Sequence, residues 1–120
     1  MVFIDFQKLK RLHPQDKFFQ QDVIDTFIKR IPAYSHCLEI SLEAKDTETL
    51  LAYCYQLRGA AECCCIHELE ALCIKLGNEL RKDNLQNATG TVLRLKKALH
   101  SIQKQYPSTP PYSPIFQDFS

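Results

Sequence analysis

Two short stretches of the chain concentrate residues able to do chemistry. Cys63-Cys64-Cys65 with His67 sets three thiols and an imidazole within five positions, donors that suit a zinc ion or a reactive thiolate. Eight residues upstream, Tyr55-Gln56-Leu57-Arg58-Gly59-Ala60-Ala61 places a phenol, a guanidinium and a glycine within about one helical turn. A glycine there leaves open space beside the ring and lets another protein approach the helix closely. It costs about 1 kcal/mol relative to alanine inside a helix, which that access would explain. Three further histidines, His13, His36 and His100, lie apart from both stretches.

The metal reading fails on geometry. Successive helical residues point about 100° apart, so three consecutive cysteines cannot converge on one tetrahedral ion, and the paired Cys-x-x-Cys spacings of structural zinc sites are missing. No metal and no cofactor is expected. Cys64 and Cys73 read as small buried hydrophobes and Cys63 as an exposed, oxidisable thiol. Met1-Val2-Phe3-Ile4-Asp5 has no basic segment followed by a long apolar run, and no stretch approaches the ~20 apolar residues that span a bilayer. A cytoplasmic location is the expectation; the Met1 start leans toward a freestanding protein, with a domain of a larger kinase left open. In that reducing compartment Cys37, Cys54, Cys63, Cys64, Cys65 and Cys73 are read as thiols.

These residues must be positioned by helices. Only Gly59, Gly77 and Gly90 are present, and no run alternates with the two-residue period of a strand. Phe19, Val23, Ile24, Phe27, Ile31, Tyr34, Leu38 and Leu42 hold a helical period across Pro32, which predicts one long helix bent near Arg30 or Ile31. Asp46 can cap the next helix, whose core stripe is Leu50, Cys54, Leu57, Ala61 and Cys64. On that helix Leu51, Tyr55, Arg58 and Glu62 share an outward stripe with Gly59 beside it. Leu69, Leu72, Cys73, Leu76 and Leu80 mark a third helix. Leu85, Ala88, Val92, Leu95, Leu99, Ile102 and Tyr106 mark a fourth.

The connections near Lys45-Asp46, Cys65-Ile66 and Asp83-Asn84 are short, so consecutive helices are expected to pack antiparallel. The fold class is all-α: an up-down four-helix bundle over residues 1–106, led by a short helix around Asp5 to Leu12. Residues 107–120 form a proline-rich tail, because Pro107, Pro110, Pro111 and Pro114 cannot continue a helix. Its Ile115, Phe116 and Phe119 are read as packing back on the bundle.

The net charge is +1, from 15 basic and 14 acidic residues. No global field points to nucleic acid or an anionic membrane. Lys96, Lys97, His100 and Lys104 form a local positive face, read as a solvated surface without the reading element that a nucleic-acid partner requires.

The stretch from Tyr55 to Ala61 resembles the His-x-Leu-Lys-Gly-small-small signature of bacterial histidine-phosphotransfer (HPt) domains, except that the histidine is absent. The resemblance extends over roughly Ile4 to Tyr106: Ile4-Asp5 with Leu9, Phe27 to Leu42 with its internal proline, Asp46, and Ile66 to Leu80. In that family the histidine accepts phosphate from a receiver-domain aspartate, the neighbouring basic residue helps hold the phosphoryl group, and the glycine gives clearance. Arg58 and Gly59 keep the last two features. Tyr55 does not replace the first, since a phenol with a pKa of about 10 is only about one part in a thousand phenolate at pH 7.

The resemblance therefore implies a pseudo-HPt module with no catalytic residue. It would bind a receiver domain of a response regulator or hybrid sensor kinase through Leu51, Tyr55, Arg58, Gly59 and Glu62, without relaying phosphate. Two alternatives remain: an active phosphotransfer protein using another histidine, with His67 nearest, and an adaptor acting through its tail.

Overall fold

Wherever apolar residues recur every three or four positions, the chain is helical. The protein is described by a computed structural model covering residues 2–12, 14 and 17–106. His13 and the tail at 107–120 lie outside the described residues. Five helices follow one another: α1 (Phe6–Leu12), α2 (Lys17–Glu43), α3 (Thr47–Cys64), α4 (His67–Arg81) and α5 (Leu85–Gln105). No strand occurs among the described residues. The long helices pack in chain order, α2 on α3, α3 on α4 and α4 on α5, and α5 closes back on α2.

The core is assembled from the expected stripes. Leu50, Cys54, Leu57, Ala61 and Cys64 of α3 are all buried, as are Leu69, Cys73, Leu76 and Leu80 of α4. Leu72, Leu42, Val23, Tyr34 and Tyr106 pack against that core without being fully enclosed. Each fully buried leucine contributes about 1.5–3 kcal/mol relative to an exposed one. That gain carries α2 through Pro32: the helix runs unbroken from Lys17 to Glu43, with Ile24, Phe27, Ile28 and Ile31 buried before the proline and Leu38 after it. Apolar burial on both sides offsets the ~3 kcal/mol that an interior proline costs.

The three connections are built alike. Each helix ends on a residue in the left-handed region, Lys45 (φ 55°), Cys65 (φ 57°) and Asp83 (φ 53°), and none is glycine. The following amide reaches back five residues, Asp46 to the Ser41 carbonyl at 3.0 Å, Ile66 to Ala61 at 3.0 Å and Asn84 to Glu79 at 2.9 Å. These are Schellman turns, which satisfy carbonyls that the helix end would leave unpaired. Two of the residues closing these turns then cap the next helix: the side chains of Asp46 and Asn84 accept from the amides of Thr49 and Asn87, while Ile66 makes no side-chain cap bond.

The N-terminal segment fastens one end of this assembly. Val2 and Ile4 are buried, the Val2 amide donates to Gln105 Oε1 at 3.1 Å, and the Asp5 amide donates to the Cys65 carbonyl at 2.8 Å. Phe6 meets Tyr106 edge-on at 6.0 Å between ring centres. Sequence periodicity did not single out Val2, Ile28 or Ile66, which are buried in the core.

A side chain in the left-handed region costs about 1–2 kcal/mol, part of which returns as lower chain entropy in the unfolded state. Lys45, exposed in its turn, can lose its side chain without opening the core. Lys45→Gly should therefore raise stability by about 0.5–1 kcal/mol in urea unfolding; a decrease would show that the turn imposes no such strain.

Candidate functional site

The α3 face that points away from the core holds the candidate residues. Asp46 sets where α3 begins: its carboxylate accepts from the Thr49 amide at 3.1 Å and from the Thr49 hydroxyl at 2.7 Å. Those bonds, the hydroxyl's first, hold its carboxyl below its ordinary value. With the start fixed and the stripe from Leu50 to Cys64 buried, the remaining positions have assigned directions. Tyr55 is 47% exposed. Gly59 is exposed too, and a Cβ built there would meet nothing within 4 Å. Arg58 and Glu62 pair with each other one turn apart, Nε to Oε1 at 3.2 Å.

Leu51 departs from expectation. It is half-buried and packs on the core rather than standing out with Tyr55. The reason is that α3 is flanked by both α2 and α4, so a residue one step from the core stripe is covered from the side. Tyr55, Arg58, Gly59 and Glu62 stay together on the open face.

One functional neighbour was not visible from the sequence. Arg81, the last residue of α4, donates from Nη2 to the Tyr55 hydroxyl at 2.6 Å, and its guanidinium carbon lies 5.6 Å from the ring centre. Nη1 donates to Asn78 Oδ1 at 3.0 Å, so the group is tied from two sides. Gly77, one turn earlier, lies under the guanidinium, where an added Cβ would stand 3.6 Å from its nitrogens. A glycine one turn before an arginine was the only local hint, and it gave no clue that Tyr55 lay opposite.

Beside this face an open groove of about 320 Å³ runs between α2 and α3, lined by Val23, Phe27, Arg30, Tyr34, Ala60 and Cys63 among others. Cys63 is exposed, while Cys64 and Cys65 are buried. Burial pushes the Cys64 thiol up to about 12 and raises that of Cys65. Cys54 donates to the Cys73 carbonyl at 3.0 Å, and Cys73 is raised by its contact with Cys54 and by burial. Among the described residues no group of three or more His, Cys, Asp or Glu side chains could hold a metal ion.

The alternative acceptor, His67, is held between two carboxylates. Nε2 meets Asp5 Oδ2 and Nδ1 meets Glu70 Oε2, both at 2.9 Å. The bonds to Asp5 and then Glu70 raise its pKa. A carboxylate oxygen thus faces each ring nitrogen, which leaves neither open for attack on phosphorus. His36 and His100 are exposed. On the positive face of α5, Lys96 is tied across to Glu39 of α2 at 3.0 Å; Lys97, His100 and Lys104 stay exposed.

No family model matches the chain, and no curated protein matches it. Among solved structures it is similar to the HPT domain of an Hpt sensor hybrid histidine kinase from Shewanella, with a TM-score of 0.62 and 12% identity. The match covers 87% of this chain and 96% of that one. At that identity the likeness establishes the fold: the five helices are arranged as in an HPt domain. No helix among the described residues is long and apolar enough to cross a membrane.

The Asp5–His67–Glu70 link should make stability depend on pH in a set direction. The folded-state pKa of His67 is raised, so its contribution is complete below its ordinary ~6.5 and fades as pH rises through the raised value. The Asp5 pKa is lowered, by the Lys8 amide and then His67, so its contribution holds above ~3.9 and is lost as pH falls through the lowered value. His67→Gln should therefore lower Tm most between about pH 4 and 6.5, with a smaller difference in alkaline buffer. Equal differences at every pH would mean that the ion pairs do not form.

Proposed function

We propose that the chain is a pseudo-HPt module that docks receiver domains of response regulators or hybrid sensor kinases without relaying phosphate. One observation carries the reading: on α3, whose Tyr55 to Ala61 stretch resembles the HPt signature, the tyrosine stands exposed, with open space at Gly59 one turn on. The HPt-like fold supports the same reading. So does the ring of helix contacts from α2 through α5 and back, which fits an up-down four-helix bundle.

Receiver docking needs a convex helical face that another helix or loop can approach. Tyr55, Arg58, Gly59 and Glu62 supply it, with Leu51 as a supporting neighbour at its edge. Tyrosine and arginine are favoured interface anchors, because each brings apolar area together with a polar tip. No catalytic step is assigned to Tyr55. Its oxygen already accepts a bond from a guanidinium, which lowers its electron density, and the neutral phenol is a poor nucleophile near pH 7. The partner is a protein; neither nucleic acid nor a membrane is part of the proposal, and the cytoplasm is the matching compartment.

Gly59→Gln separates docking from folding. Replacing an exposed helical glycine should raise stability by roughly 0.5–1 kcal/mol, while the longer side chain fills the approach path and weakens receiver binding at least about tenfold, or 1.4 kcal/mol. Binding would be measured against receivers of the source organism, phosphorylated and not, with phosphate transfer followed in the same samples. The wild type should bind and take no phosphate, and Tyr55→His should take acid-labile phosphate. Transfer to the wild type, or full affinity in Gly59→Gln, would overturn the proposal.

A further inference from the structure

The Tyr55 hydroxyl is half used. Arg81 Nη2 donates to its oxygen at 2.6 Å, and among the described residues no acceptor takes the phenolic hydrogen. Arg81 is half used as well. A guanidinium has five N–H donors; one goes to Tyr55 and one to Asn78, and no carboxylate pairs with it among the described residues. Both side chains are exposed. Glu62, on the same face, is already paired with Arg58. An O–H and several N–H groups thus stand side by side around an unneutralised positive charge, one helical turn from the opening at Gly59.

We infer that Tyr55 and Arg81 together form a receptor for an anionic group, a carboxylate or a phosphoryl, carried by the docked partner. This rests on the docking reading above and names the chemistry it selects. A planar guanidinium beside a hydroxyl offers parallel donors that match a pair of oxygens on one anion, and charge-assisted bonds of this kind are about twice as strong as neutral ones. No covalent bond forms or breaks. The phenol that replaces the histidine holds the anion instead of attacking it, and because Arg81 donates to its oxygen, its O–H is left to donate to the anion. Asn78 on one side and the bare backbone of Gly77 beneath hold the guanidinium in place, so little ordering remains to be done on binding.

The test compares wild type, Tyr55→Phe, Arg81→Gln and the double variant for affinity toward a receiver that the wild type binds, with that receiver phosphorylated and not. Each single change should weaken binding about tenfold. The double change should add little, because the two groups act as a unit, and the losses should shrink at high salt. A larger loss with the phosphorylated receiver identifies the anion as phosphoryl; a larger loss without phosphorylation identifies a carboxylate. Unchanged affinity in both single variants, with Gly59→Gln still blocking, overturns the receptor and leaves docking intact. If docking itself fails, inorganic phosphate titrated into the protein alone decides: saturable shifts of the Tyr55 ring signals that vanish in Arg81→Gln uphold the receptor, and their absence removes it.

Discussion

Burial of one narrow stripe on α3 governs where every other surface of this molecule can be. Leu50, Cys54, Leu57, Ala61 and Cys64 are at most 1% exposed, and three of the five are small. Small residues let α2 and α4 close in on α3 from both sides, which enlarges the covered arc and reaches as far as Leu51. What remains open is a thin strip through Tyr55, Gly59 and Glu62. A shift of α3 by one residue would turn each side chain by about 100° and bury Tyr55 in place of Cys54 and Arg58 in place of Leu57. The outward position of Tyr55 therefore follows from the apolar residues around it in sequence.

Rotation about the helix axis is only half of the placement; position along it is set at the ends. Asp46 fixes the start of α3 through Thr49, and the turn at Cys65 fixes its finish. That turn is also the anchor of the N-terminal segment, whose Asp5 amide bonds to the Cys65 carbonyl and whose Asp5 carboxylate bonds to His67. A cysteine in the left-handed region is strained, but it is fully enclosed, and burial of the thiol favours a residue that glycine would not replace equally. The residues that looked most like a reactive cluster in the sequence thus serve chiefly to stop one helix and start the next.

Most of the fold was legible because it depends on local periodicity and end chemistry. The stripes of α3, α4 and α5, the cap at Asp46 and the three short connections could all be read from spacing alone, and the resemblance led to the fold that the Shewanella domain shares. Ile28 was passed over because Phe27 and Ile31 already satisfied the pattern. Leu51 was misplaced because a helical wheel shows angle and not what neighbouring helices cover. Arg81 was out of reach for a different reason: its bond to Tyr55 joins residues 26 apart, and only the packing of α4 on α3 brings them together. Long-range polar pairs on exposed faces leave no periodic trace, so the legible part of the site was its α3 half.

The exchange of histidine for tyrosine bears on kinetics as well as chemistry under the proposed function. A relay protein has a chemical exit from its complex, since transfer changes the charge on both partners and with it their affinity. A face that binds without transfer has none. Its residence time is set by contacts alone, and its effect on a pathway scales with its concentration relative to Kd rather than with turnover. Such a module works by occupying receivers. Affinity is then the property that matters, and a phenol anchored by a guanidinium serves it better than an imidazole: it adds aromatic contact area and keeps a hydroxyl donor at its tip.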